Sequence, residues 1–249
     1  MKNKNTQNKP TSYALSENSI KTKNEFGEAN AVYSLLYNRF KQVTSLNWNA
    51  KKLNQFRRLI LEIIRSAPAE QTGNRKLWDG DFKKLEGIQL NIKNSADNLF
   101  KGSVITDIDP IKGFNLSIHP FKYHTAFPKA HPKTTFAEVR LYIFAFDIVK
   151  KTSHGRSIIL LSQRHGMDMD QTFNFNYPLE DNKLTLIVRK VSFKSGSDNS
   201  YSADRMYIGA TLTNAIYIKN GELVNFIPEK KEEPFKKTEL QVGEWEDLG

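Results

Sequence analysis

The chain has 249 residues, no cysteine and a formal net charge of +10. That length suits one large domain or two small ones, and the missing thiols exclude disulfides, thiolate catalysis and Cys-based zinc or iron–sulfur sites. Apolar residues make up 39% and aromatics 11%, with 16 Phe, so a core can form and leans on aromatic rings. No run of about eighteen apolar residues occurs, which predicts no membrane span. Met1 to Asn24 is polar and lacks the apolar stretch of a secretory signal. A soluble, cytoplasmic protein is the simplest reading.

The charge is unevenly placed. Residues 1–76 carry 14 Lys+Arg against 5 Asp+Glu, a net +9; residues 77–171 carry 13 against 10, and residues 172–249 carry 10 against 12. A basic first third on a near-neutral body can attract nucleic acid, anionic lipid or an acidic protein surface. Its plain alternative is a solvated basic face.

Residues 1–24, rich in Asn, Lys, Ser and Thr, read as a disordered or loosely docked arm. A basic helical region follows over 25–86. Val32, Leu35, Leu36, Phe40 and Val43 repeat at helical spacing and predict a helix over 28–46. Asn49 as N-cap and Pro68 as stop bound a second helix over 50–67. Its apolar stripe is Leu53, Phe56, Leu59, Ile60, Leu61, Ile63 and Ile64, too wide for a two-helix hairpin to bury internally. Phe56, Ile60 and Ile63 should therefore dock on the sheet or on another subunit. Lys51, Gln55, Arg58, Glu62 and Arg65 form the remaining face. The short joint around Leu46–Asn47–Trp48 predicts an antiparallel helical hairpin.

From Gly87 the period changes to two, which predicts an antiparallel β-domain over 87–227. Alternation marks Ile88–Ile92, Phe114–Ile118, Phe173–Tyr177 and Met206–Leu212 as half-buried strands. Phe136–Val149 is apolar on both faces over Leu141–Phe146 and reads as a central strand. In Leu184–Phe193 the apolar phase slips from even to odd positions, which predicts a β-bulge near Arg189–Lys190. Asn220–Gly221 marks a hairpin, and His154–Gly155 and Asp181–Asn182 mark turns. About eight strands with no room for crossover helices predict mostly antiparallel pairing. The fold class is thus α+β: an N-terminal helical hairpin followed by a mostly antiparallel β-sandwich, with Phe114, Leu116, Leu141, Ile143, Phe173, Phe175, Leu186, Ile208 and Leu212 in its core. Residues 228–249 read as a charged tail.

No Walker loop, GxGxxG turn or GxSxG elbow occurs, and no motif implies a cofactor. His119, His124 and His131 share a loop with three prolines and could ligate zinc; ordinary loop histidines are the default. His165, Asp168 and Asp170 form a second polar cluster, and Asp107 and Asp109 a third, each with a turn as its default. Tyr207 and Tyr217 could stack bases or pack between layers. Lys51, Arg58 and Arg65 share one helix face and are the candidate anion- or nucleic-acid-binding residues.

Gly73–Asn74–Arg75, followed by Leu85–Glu86–Gly87–Ile88–Gln89–Leu90–Asn91, resembles a passage in an uncharacterised protein family of the Bacteroidota. The Lys/Asn-rich composition suits such a source. That family has no established function, so the resemblance implies none. The expected function is a non-enzymatic interaction or structural role with a protein partner or self-association. A nucleic-acid-binding accessory role is the alternative, and a metal-dependent enzyme a distant third.

Overall fold

A computed structural model describes residues 15–43, 48–91, 93–147, 149–195, 200–201 and 205–227. The expectations for the first fourteen residues, the Leu46–Asn47 joint, Ile92 and the tail 228–249 lie outside the described residues.

Two helices form the first layer: α1 (Glu17–Val43) and α2 (Ala50–Arg65). The second begins as its sequence predicts, with the Asn49 side chain accepting a hydrogen bond from the Lys52 amide at 2.9 Å. The first begins earlier than expected, so residues 17–24 are helical and not part of an arm. Hydropathy cannot see this, because the turn that anchors the extension is polar. Glu25 is 4% exposed and meets Arg65, Arg75 and the Gly73 amide. Tyr33 lies under Arg57, and Phe40 packs on Phe56 at 6.0 Å. Those pairings and Glu25–Arg65 set the two helices antiparallel.

Between α2 and the sheets the chain makes three single 3₁₀ turns, Ala69–Gln71, Leu77–Asp79 and Phe82–Leu85. They bury Leu77, Phe82 and Leu85 completely. Gly80 passes so close beneath α2 that a Cβ there would lie 1.8 Å from the Ile63 carbonyl oxygen. Only glycine fits that approach.

Among the described residues two further short α-helices, α3 (Ala96–Leu99) and α4 (Tyr123–Ala126), accompany nine strands. A three-stranded sheet has the order β1 (Val104–Asp109), β2 (Gly113–Ile118), β5 (Phe173–Tyr177). A six-stranded sheet has the order β4 (Thr152–Arg164), β3 (Thr134–Asp147), β6 (Lys183–Ser195), β8 (Ile208–Lys219), β9 (Glu222–Leu223), with β7 (Ser200–Tyr201) also pairing β6. Among the described residues every strand pairing is antiparallel. Three layers result: helices, six-stranded sheet, three-stranded sheet. One apolar cluster joins α1, α2 and the 3₁₀ turns to Phe144, Phe146, Leu184, Leu186 and Leu212. The other joins the opposite face of that sheet to Phe114, Leu116 and Ile118. Phe56, Ile60 and Ile63 are buried in the first cluster, where α1, Trp48 and the 3₁₀ turns lie against α2 and Phe40 carries the packing on to Phe144 of the sheet.

Several local expectations need correction. No bulge lies in β6, which pairs β3 without a break from Leu184 to Phe193. Leu184, Leu186 and Val188 face the helices while Ile187, Val191 and Phe193 face the small sheet. Burial on both sides produces the phase slip. The bulge lies in β8, where Ile187 opposes Asn214 and Val188 opposes Leu212, leaving Thr213 as the extra residue. Ile88–Asn91 forms no named strand; Gln89 makes only an isolated bridge to Thr211. His154–Gly155 lies inside β4, and the turn falls at Lys151, whose φ is 53°. Phe173 and Phe175 are only partly buried, because β5 is an edge strand. Asp181–Asn182 and Asn220–Gly221 do turn, with φ of 56° at Asn182 and 53° at Asn220.

Candidate functional site

The three cations singled out from the sequence stay together. Lys51, Arg58 and Arg65 are all exposed along the outer side of α2. Steps of seven residues place them about 10 Å apart in one row. The helix carries Lys51, Lys52, Arg57, Arg58 and Arg65 against a single carboxylate, Glu62. Two members of the row have partners. Arg58 meets Glu62 at 2.9 Å, with the arginine side chain 81% exposed, and Arg65 meets Glu25 at 3.5 Å and stacks on Phe26. The first is an exposed i,i+4 pair worth about 0.3–0.5 kcal/mol, which a polyanion can displace. The second is shared, because Arg75 also holds Glu25 from a less exposed position. Nearby, Lys52 lies over Trp48 and burial lowers its pKa.

The densest meeting of charged groups lies elsewhere. Glu138 on β3 is 1% exposed. Its carboxylate accepts hydrogen bonds from Arg140 at 3.0 Å and from the Tyr201 hydroxyl at 2.9 Å, and meets Lys194 at 3.4 Å. Lys194 also lies over the Tyr201 ring. Burial works against the charged carboxylate, but the bonds from Arg140 and Tyr201 and the Lys194 charge outweigh it, so its pKa is lowered. Lys190 sits opposite Arg140 and donates to the Val43 carbonyl at the end of α1 at 2.9 Å. Burial, reinforced by the Arg140 charge, lowers its pKa. Chemically the group ties β3, β6, β7 and the end of α1 together. Sequence reasoning passed it over. Its one signal was the alternation Ala137–Glu138–Val139–Arg140–Leu141, which reads equally well as a solvent face.

The histidines do not converge. His131 packs on Tyr207, whereas His124 packs on His165. Among the described residues no cluster of three His, Asp or Glu could hold a metal ion. Asp168 accepts from the Tyr123 amide at 2.8 Å and pairs with Lys122, so it fixes the start of α4. Asp109 accepts from the Ile111 and Lys112 amides at 2.8 Å, a turn. Tyr217 is buried against Trp78 and Phe82 and cannot stack a base. Tyr207 instead borders an open cleft of about 620 Å³ with His131, Lys133, Thr135, Phe193 and Ser195. Among the described residues no helix is long and apolar enough to cross a membrane.

No family model matches the chain, and neither a curated protein nor a solved structure matches it.

Proposed function

We propose that this chain is a non-enzymatic interaction protein that presents the outer face of α2 to an anionic macromolecule. One observation carries this reading: a rigid helix with five cations and one carboxylate, its apolar side sealed in the core cluster and its cationic row turned to solvent. A row held on a docked helix loses little conformational entropy on binding. Its exposed intramolecular pairs are weak enough to exchange for a partner's carboxylates or phosphates.

An acidic protein surface is the leading partner. Nucleic acid is the second reading, favoured by the residue spacing, since Lys51, Arg58 and Arg65 could track one backbone. The test compares wild type with the variant Lys51→Gln/Arg58→Gln/Arg65→Gln against polyglutamate, duplex DNA and single-stranded RNA over a range of salt. Loss of polyglutamate binding in the variant supports the leading reading. Binding to DNA or RNA whose salt slope falls by about one unit per lost contact supports the second. Equal binding by both proteins to every polyanion, or none at low salt, removes α2 as the interface.

A further inference from the structure

The six-stranded sheet ends on one side at β4, thirteen residues long. One edge of this strand pairs with β3 throughout. Its other edge has no strand partner among the described residues. Such an edge presents a row of backbone N–H and C=O groups to any extended chain that can approach. Chemistry limits which chain that is. From Ile148 to Met167 the sequence holds Lys150, Lys151, His154, Arg156, Arg164 and His165 and no Asp or Glu. Arg156 and Arg164 are exposed, and Ile159 between them is 50% exposed. Opposite Ala145 and Ile143 of β3, His154 and Arg156 take the same face of the strand, one pleat apart. Towards the helices β4 shows Ser153, Gly155, Ser157 and Ile159; Arg39 of α1 donates to the Ser153 hydroxyl and carbonyl, so the approachable backbone begins at Gly155.

We propose that β4 binds an extended acidic segment of a partner protein by strand addition, along Gly155–Ile159. The bulge at Leu160, skipped between Val139 and Arg140 of the neighbouring strand, ends the regular ladder there. A second copy of β4 is a poor occupant, because pairing like with like sets cations against cations. An acidic segment gains instead, with a carboxylate facing Arg156 and an apolar side chain beside Ile159; His154 already pairs with Glu180 at 2.5 Å. This surface is separate from the outer face of α2, and the proposal does not rest on that face.

The test uses the full chain and a labelled eight-residue peptide of alternating Glu and Val. The controls are a Lys/Val peptide and a Glu/Pro peptide, the latter equally acidic but unable to donate a ladder of backbone hydrogen bonds. Fluorescence anisotropy and amide hydrogen exchange read the outcome. The Glu/Val peptide should bind with a Kd on the order of micromolar and slow exchange along β4. The Lys/Val and Glu/Pro peptides should not. The exposed change Arg156→Glu, alone or with Lys151→Glu, should weaken binding about tenfold or more. The α2 triple change to Gln should leave binding unaltered, which separates this proposal from the previous one. Equal binding of the Glu/Pro peptide, protection confined to other strands, or no binding of the Glu/Val peptide would overturn the proposal. The last result would leave the cations of β4 as guards against edge-to-edge association.

Discussion

Replacing Glu138 by Gln removes one charge from the most enclosed ionic group of the fold and leaves its volume almost unchanged. The carboxylate is 1% exposed and satisfies Arg140, Tyr201 and Lys194 at once. Losing one member of a fully buried ion pair costs about 3–5 kcal/mol, because the other charge is left without compensation. Here the stranded cations have an escape: the side chains of Arg140 and Lys194 are 24% and 23% exposed and can turn towards water. The amide also keeps one acceptor oxygen for Tyr201. A loss of about 2–3 kcal/mol follows, or about 4–12 °C in Tm for a chain of this size. The pH dependence gives a second reading. The folded carboxyl lies below its ordinary 4.5, so its stabilisation is present above that value and lost as pH falls through the folded pKa. Urea and thermal unfolding of both proteins from pH 7 to pH 3 should show the full gap near neutrality and a shrinking gap in acid. A gap below about 1 kcal/mol at pH 7, or one that stays constant down to pH 3, would refute the argument that the charge itself stabilises the group.

Three other outcomes are expected. Leu186→Ala, at a fully buried position between sheet and helices, should cost about 2–5 kcal/mol in urea unfolding, and Phe175→Ala on half-buried β5 distinctly less. A larger loss at Phe175 would mean that the small sheet is better covered than its edge position allows. Gly80→Ala should destabilise by about 2 kcal/mol or more, because the new methyl group meets the Ile63 carbonyl and the backbone beneath α2 must shift; an unchanged Tm would show that the turn can give way. Residues 25–70 expressed alone should not form a stable monomeric helical pair by circular dichroism and sedimentation, since Phe40 packs on Phe144 and the cluster that buries Phe56, Ile60 and Ile63 continues into the 3₁₀ turns and the sheet.

Much of the architecture could be read from local patterns. The Asn49 cap, the seven-residue repeat of Lys51, Arg58 and Arg65 and the Asn220–Gly221 turn each depend on a few neighbouring residues. Their meaning therefore survives without the rest of the chain. The wide stripe of α2 also required a covering surface, and only the fold showed that Tyr33, Phe40 and Trp48 cover Phe56 while Phe40 in turn packs on Phe144 of the sheet. Where tertiary structure decided, periodicity had lost its information. Alternation reports sidedness when one face is dry and the other wet, but β6 is buried between helices and a second sheet, so its even and odd residues are both apolar. The same pattern was open to a bulge, and the bulge fell instead at Thr213 of the next strand. Glu138 failed as a signal for the opposite reason. Polar residues alternating with apolar ones predict a solvent face, and nothing local reveals that Lys190, Lys194 and Tyr201 arrive from strands about 50 to 60 residues away to enclose it. The outer row of α2 kept its place because exposure is what its sequence specified. Its partners Glu25 and Glu62 differ in kind: Glu62, one turn away, was legible, whereas Glu25 depended on the antiparallel docking of two helices.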